Sequence, residues 1–162
     1  MANSISIRKA TIDDSQNISN LMIEVAREFS FSFMTAKGQR KILVSFSAKS
    51  INEYIIAGIV FWVAAHVLAN QNEIVGVISI ENNSHLKHLF VEGKMQGKGI
   101  STQLWEVSKS YLKQNCKAEK ITVCSSPNAV ELYKKWDFVQ TGKIQNEEEI
   151  PFVPMEILLD NI

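Results

Sequence analysis

A chain of 162 residues, 46% of them apolar, is long enough to bury one sizeable core. Its 17 basic and 17 acidic residues cancel, which removes the field that draws basic proteins to nucleic acid or to an anionic membrane. Two cysteines, Cys116 and Cys124, are too few for a disulfide framework and read as reduced thiols.

The first segment, "MANSISIRKA", lacks the apolar centre of a signal peptide. The most apolar stretch, "YIIAGIVFWVAAHVLAN", is broken by Gly58 and His66 and is shorter than a membrane span. With no linker or repeat in the chain, one globular domain over residues 1–162 and a cytoplasmic location are expected.

"ISIRKA" alternates apolar and polar residues and predicts a first strand. "TIDDSQNISNLMIEVAREFS" opens with Thr11 and carries Asp14 three positions on, a variant of the capping box. Ile18, Leu21, Met22 and Val25 then recur at helical spacing. "TAKGQRKILVSF" and "SAKSINEYII" predict two shorter helices, each opened by a Thr or Ser. "IVFWVAAHVLA" and "EIVGVISIE" flank the polar "NQNE" and predict an antiparallel hairpin. "HLKHLFV" follows as a strand, and "STQLWEVSKSYLKQN" as a helix with Leu104, Val107, Ser108, Tyr111 and Leu112 on one side. "KITVCSS" is a strand and "NAVELYKKW" a short helix, with "FVQTG" and "FVPMEILL" closing the sheet. Hairpins followed by β-α-β-α-β give an α/β protein with a mixed, mostly antiparallel sheet flanked by helices, without the regular alternation of a doubly wound fold.

Between "HLFV" and the long helix lies "EGKMQGKGIS", a basic turn with three glycines. Glycines before a helix suit an anion cradle of backbone N–H groups at the positive end of the helix dipole. A nucleotide triphosphate loop needs four residues between its glycines and a Ser or Thr after its Lys, whereas Gly93 and Gly97 have only three between them and Gly99 follows Lys98. A dinucleotide fingerprint fails as well, because Ile100, Ser101 and Thr102 follow with no third glycine.

What remains, Gln96-Gly97-Lys98-Gly99-Ile100-Ser101, resembles the Gln/Arg-x-x-Gly-x-Gly/Ala signature of the GCN5-related N-acetyltransferases. Further on, "SSPNAVELYKKWDF" is similar to that family's Ala-x-x-Leu-Tyr-x-Lys-x-Gly-Phe pattern, with Ala129, Leu132, Tyr133, Lys135 and Phe138 in register. The chain departs at three positions: Ser101 for a final Gly or Ala, Ser126 where many members carry Asn, and Asp137 for the Gly before Phe138. The order of elements agrees over essentially the whole chain.

The resemblance implies the acyl-CoA N-acyltransferase fold, with acetyl-coenzyme A as co-substrate and no metal. It places the pyrophosphate on Gln96, Gly97, Lys98, Gly99, Ile100 and Ser101, and the pantetheine along Leu89, Phe90 and Val91 and beside Ser126 and Asn128. It makes Tyr133 the acid that protonates the departing thiolate, whose conjugate acid has a pKa of about 8.5 against about 10 for a phenol. An attacking amine must also lose a proton, and Glu28, Glu81, His85 and His88 are the candidate bases, with His88 and Glu81 placed in the catalytic set. His88 and Phe90, two apart on a strand, should face the same side. Cys124 reads as a small core hydrophobe on an apolar strand, and His66 as a satisfied core histidine. Direct transfer in a ternary complex to a small-molecule or protein amine is therefore expected, with a cleft walled by Phe29, Phe31, Phe33 and Met34. The alternative is a regulatory module that binds acetyl-coenzyme A without turning it over. A nucleic-acid partner is not expected, and a homodimer is the base-rate state.

Overall fold

A computed structural model describes residues 4–68 and 71–162. In chain order the elements are β1 (Ile5–Lys9), α1 (Ser15–Phe29), α2 (Ala36–Ser45), α3 (Ala48–Ile56), β2 (Val60–Leu68), β3 (Gln71–Glu81) and β4 (His85–Val91). Then follow α4 (Ile100–Asn115), β5 (Lys120–Ser125), α5 (Val130–Lys135), β6 (Val139–Gln140), β7 (Gln145–Glu147) and β8 (Ile150–Leu158).

The capping pattern at Thr11 opens a single 3₁₀ turn, Ile12–Asp14, and α1 proper starts at Ser15. Asp14 is what pins this entry. Its carboxylate accepts the Thr11 N–H at 2.9 Å and both arms of the Arg8 guanidinium at 2.8 Å, so β1 and α1 are tied together. The Arg8 guanidinium holds the Asp14 carboxyl below the usual carboxylate range. Thr35 and Ser47 cap α2 and α3, each accepting a backbone N–H at 3.2 Å.

The strands form one sheet in the order β1-β2-β3-β4-β5-β8-β6, with β7 also pairing β8. All neighbours are antiparallel except β4 and β5. The expected "NQNE" turn is corrected in part: Asn70 lies outside the described residues, and Gln71–Glu73 already belong to β3, with Gln71 opposite Leu68. β7, too short and too polar for periodicity to reveal, was not anticipated.

Strand alternation sends one set of side chains to each face. Phe61, Val63 and Val77 pack with Ile18, Met22 and Ile51 of α1 and α3. Trp62, Ala64 and Ile78 pack on the opposite face with Leu104 and Leu112 of α4. The mixed, mostly antiparallel sheet flanked by helices is the one the sequence predicts.

Candidate active site

β4 and β5 pair only through His85↔Thr122 and Leu86↔Val123, and beyond those residues the two parallel strands part. From His88 onward, β4 is paired on its β3 side alone. A gap therefore opens in the middle of the sheet, and two cavities meet there. The smaller, about 320 Å³, runs past Val91, Gln96, Gly97, Ile100, Ser101 and Asn128. The larger, about 600 Å³, lies towards α2 and β8 and includes His88, Cys124 and Phe152 in its wall. Leu89, Phe90, Ser126, Ala129 and Tyr133 line both.

The loop between β4 and α4 makes one wall of the smaller groove. Gln96 reaches back so that its side-chain amide donates to the Val91 carbonyl at 3.1 Å, fixing the loop against the strand it leaves. Gly97 and Gly99 adopt φ of +74° and +80°, the left-handed region that glycine enters without strain. A Cβ at either would meet no protein atom within 4 Å, so the space beside the main chain is open. No protein acceptor among the described residues takes the backbone N–H groups of Gly97 to Thr102, and the first helical bond is Gln103 N–H to Gly99 C=O at 3.0 Å. Free N–H groups, open space and the positive end of a 16-residue helix suit an anionic group such as a pyrophosphate. Gly99 supplies the turn without lining the groove. Lys98 lines a separate recess with His66 and Gln103.

Tyr133 is placed by the way α5 ends. The Phe138 N–H bonds the Tyr133 carbonyl at 3.1 Å and the Asp137 N–H the Lys134 carbonyl at 3.0 Å, with Asp137 at φ +66°. This is a Schellman ending with an aspartate where glycine is usual, and Phe138 and Tyr133 supply its apolar contact with ring centroids 5.6 Å apart. The Tyr133 ring is also held edge-on by Trp136 at 5.8 Å. Its residue is 4% exposed, yet its hydroxyl bonds to no described residue and the side chain borders both cavities. Burial pushes the phenol well above its ordinary pKa, so it stays protonated.

The candidate bases are dispersed. His88 lines the larger cavity, packed edge-on to Phe46 and stacked on Phe61, with Nδ1 2.8 Å from the Ser79 hydroxyl. Burial, with Lys87 and His85 adding to it, lowers its pKa to about 3, so the ring is neutral. Phe90 lies on the same side, its ring centroid 6.5 Å from that of His88. Glu81 borders neither cavity: its carboxylate is held by Lys87 Nζ at 2.8 Å. His85 is hydrogen-bonded to Thr122 at 2.8 Å, and burial lowers its pKa. Glu28 is exposed, its carboxylate lying against Gly93.

Several expectations change. Cys124 is exposed at the wall of the larger cavity rather than buried, because β5 has lost its β4 neighbour at that point. Partial desolvation and the nearby Glu147 keep its thiol above the ordinary value. His66 is buried, but its Nδ1 has no hydrogen-bond partner among the described residues, so it is not a satisfied core histidine. Of the four residues expected to wall an acceptor cleft, Met34 lines the larger cavity and Phe29 the smaller, while Phe31 and Phe33 line neither. Sequence reading missed Ile42, Phe46, Glu147, Glu148, Ile150 and Phe152, which build the larger cavity. They fall in two segments about a hundred residues apart and carry no motif. Among the described residues no group of three or more potential metal ligands occurs, and no helix is long and apolar enough to cross a membrane.

A mixed sheet parted between two parallel strands, with a glycine loop leading into a helix beside the gap, is the acyl-CoA N-acyltransferase fold. Residues 32–159 match the family described as acetyltransferase (GNAT) domain, and the chain belongs to that family. Solved structures agree on the fold. A GCN5-related N-acetyltransferase from Rhodopseudomonas palustris superposes with a TM-score of 0.76 at 18% identity, covering 98% of this chain and 99% of that one. The PaiA N-acetyltransferase of Thermoplasma acidophilum, in complex with coenzyme A, gives 0.71 at 19% identity, covering 94% and 98%. A variant spermidine N-acetyltransferase from Vibrio cholerae gives 0.63 at 19% identity, covering 96% and 94%. No curated protein matches the chain.

Proposed function

We propose that this protein transfers the acetyl group of acetyl-coenzyme A to an amine by direct attack, with both substrates bound at once. The observation that carries this reading is the meeting of two cavities at Tyr133, in the gap where β4 and β5 part. A module that only bound the co-substrate would need one groove; the second leaves room for an acceptor. The liganded Thermoplasma relative supports coenzyme A as the handle.

Acetyl-coenzyme A supplies an activated acyl group and a thiol leaving group. The chain's own residues do the rest. The N–H groups from Gly97 to Ser101, with Gln96 bracing the loop, hold the pyrophosphate, and Lys98 adds charge from the far side of the turn. The unpaired edge of Leu89, Phe90 and Val91 binds the pantetheine amides as a strand would, and Ser126 and Asn128 border its path. A backbone N–H on that edge also polarises the carbonyl under attack. Tyr133 donates its proton to the departing sulfur, leaving a phenolate that is reprotonated through the cavity.

His88 enters this scheme as a neutral hydrogen-bonding wall. With a pKa of about 3 it cannot store the proton that the amine gives up, which passes instead to water. Glu81, bound to Lys87, acts at most through that lysine, which does face the larger cavity.

Release of coenzyme A thiol, measured against a panel of amines alongside acetyl-coenzyme A binding by calorimetry, tests the reading. Amine-dependent release is expected. Tight binding with no release for any amine would make the protein a binding module.

A further inference from the structure

We infer that the acceptor is a compact amine with an apolar body, enclosed beneath a bridge between the β7–β8 hairpin and α2, and that lysines on protein surfaces are excluded. This rests on the transfer reading above and names its substrate class.

The bridge begins with an unusual turn. Glu147 pairs with Ile150, so Glu148 and Glu149 alone connect β7 to β8, and both have positive φ, +52° and +69°. Such a two-residue turn favours Asn-Gly, because side chains beyond Cβ disfavour the left-handed region. Two consecutive glutamates oppose that local preference. What they gain lies across the cavity on α2. Glu148 meets Lys41 Nζ at 2.7 Å, and Glu149 accepts the Thr35 hydroxyl at 2.9 Å. Gly38 completes the contact. A Cβ there would sit 2.3 Å from the Glu149 carbonyl oxygen, so only glycine fits, inside a helix that glycine weakens. A strained turn and a helix-weakening glycine thus serve one and the same contact. Local features kept against their own preference are the signature of a part that works.

The bridge bounds the larger cavity on its α2 side. Met34 and Ile42 line it from one end of the bridge and Ile150 and Phe152 from the other, with Phe46 and Phe90 behind. At about 600 Å³ the space matches a small ligand, and a polypeptide would have to lie across the bridge. The charged groups facing it are few. Lys87 is bound to Glu81, and Glu148 to Lys41. His88 is neutral, and Cys124 is held as the thiol. Glu147 lines the cavity and pairs with no cation among the described residues. Glu147 is exposed, so its carboxylate stands at the solvent side of the cavity and receives an ammonium there, while the hydrocarbon remainder of the molecule meets Met34, Ile42, Phe46 and Phe152.

The test compares a phenylalkylamine, a linear diamine and a lysine-containing peptide as acceptors for the full chain and two variants. Gly38→Ala pushes the hairpin off α2 while favouring the helix. Glu148→Asn with Glu149→Gly gives the turn the residues it prefers and removes both contacts. The unmodified protein should favour the phenylalkylamine in kcat/KM. Each variant should raise its KM about ten-fold, the scale of a lost apolar wall, and narrow its lead over the peptide, with the KM for acetyl-coenzyme A unchanged. Preference for the diamine or the peptide, or selectivity unmoved in both variants, overturns the inference and leaves acetyl transfer standing. No release of coenzyme A with any amine overturns both.

Discussion

The two cavities that meet at Tyr133 are built in opposite ways. The smaller one takes half of its wall from one continuous stretch, Leu89 to Ser101, and that stretch offers mainly backbone: unpaired strand edge, free N–H groups, and open space beside Gly97. The larger one is assembled from side chains contributed by α1, α2, β4, β5 and β8 and the segments between them. On the proposed reading, backbone groups recognise a handle that never varies, and side chains shape a space for something that does. The same division explains why one wall can be read as a motif while the other cannot.

Tyr133 stands where the halves join, and its loss should give the largest effect. Tyr133→Phe removes a hydroxyl with no described protein partner and keeps the ring against Trp136 and Phe138. Stability should change by no more than about 0.5 kcal/mol. Turnover should fall by roughly 10²–10⁴, the usual worth of a positioned general acid, with the KM for acetyl-coenzyme A nearly flat. Steady-state kinetics beside a thermal melt separates the two readings, because a purely structural tyrosine would leave turnover intact. Burial raises the phenol, so ionisation of Tyr133 should cause no loss of rate below about pH 10.

Gly99→Glu strikes the backbone-built half alone. It forces a glutamate to φ near +80° and sets a negative charge beside the phosphate cradle. One charge pair 4 Å apart costs about 4 kcal/mol near a protein surface, so affinity for acetyl-coenzyme A should fall by about 10²–10³. Because no protein atom lies within 4 Å of the added Cβ, the fold should persist. Unchanged affinity by calorimetry in the folded variant would refute the cradle and, with it, the contrast between the two walls.

How much was legible follows the same line. Gln96 to Ser101 and Ala129 to Phe138 carry their geometry in short-range choices: glycines where φ is positive, and an apolar residue after the helix end. β1, α2, α3, β4 and β5 announce themselves by period and caps. The parting of β4 from β5 does not, since "HLKHLFV" and "KITVCSS" look alike whether paired along two residues or six. That parting exposes Cys124, which strand alternation alone would bury. The bridge was hidden for a related reason: Gly38 and Glu149 are 111 positions apart in the chain, and nothing in either segment points to the other. Glu81 was proposed from its residue type, and the partner that occupies it, Lys87, became visible only in three dimensions.

A weaker effect should appear in acid, on the side-chain-built half. His88 has a folded pKa near 3 against an ordinary value of 6.5, so the unfolded chain binds its proton first. Its contribution is complete above pH 6.5 and is lost progressively as the pH falls from there towards 3. His85, also lowered by burial, adds in the same direction. Between pH 6.5 and 4.5 the loss should be about 2–3 kcal/mol, read as a lower urea midpoint. His88→Gln, which can still bond Ser79, should flatten much of that slope. A midpoint independent of pH over this window would show that the ring is not held neutral.

The smallest effect is expected at Cys124, and it bears on whether the larger cavity takes part in covalent chemistry. The thiol faces the cavity, where an acyl group could in principle be passed to it before reaching an amine. Two features oppose that route. Its pKa lies above the ordinary thiol value, so little thiolate is present near neutrality. Among the described residues no histidine or lysine is hydrogen-bonded to it to take the proton. Cys124→Ala should therefore leave turnover within a few-fold and, at an exposed position, stability within about 0.5 kcal/mol. Alkylation should be slow in the free protein and slower still with a saturating acceptor amine, because both compete for the same wall. Loss of turnover in a folded Cys124→Ala protein that still binds acetyl-coenzyme A would replace direct attack with an acyl-cysteine intermediate. It would also make the larger cavity a site of bond-making rather than of selection.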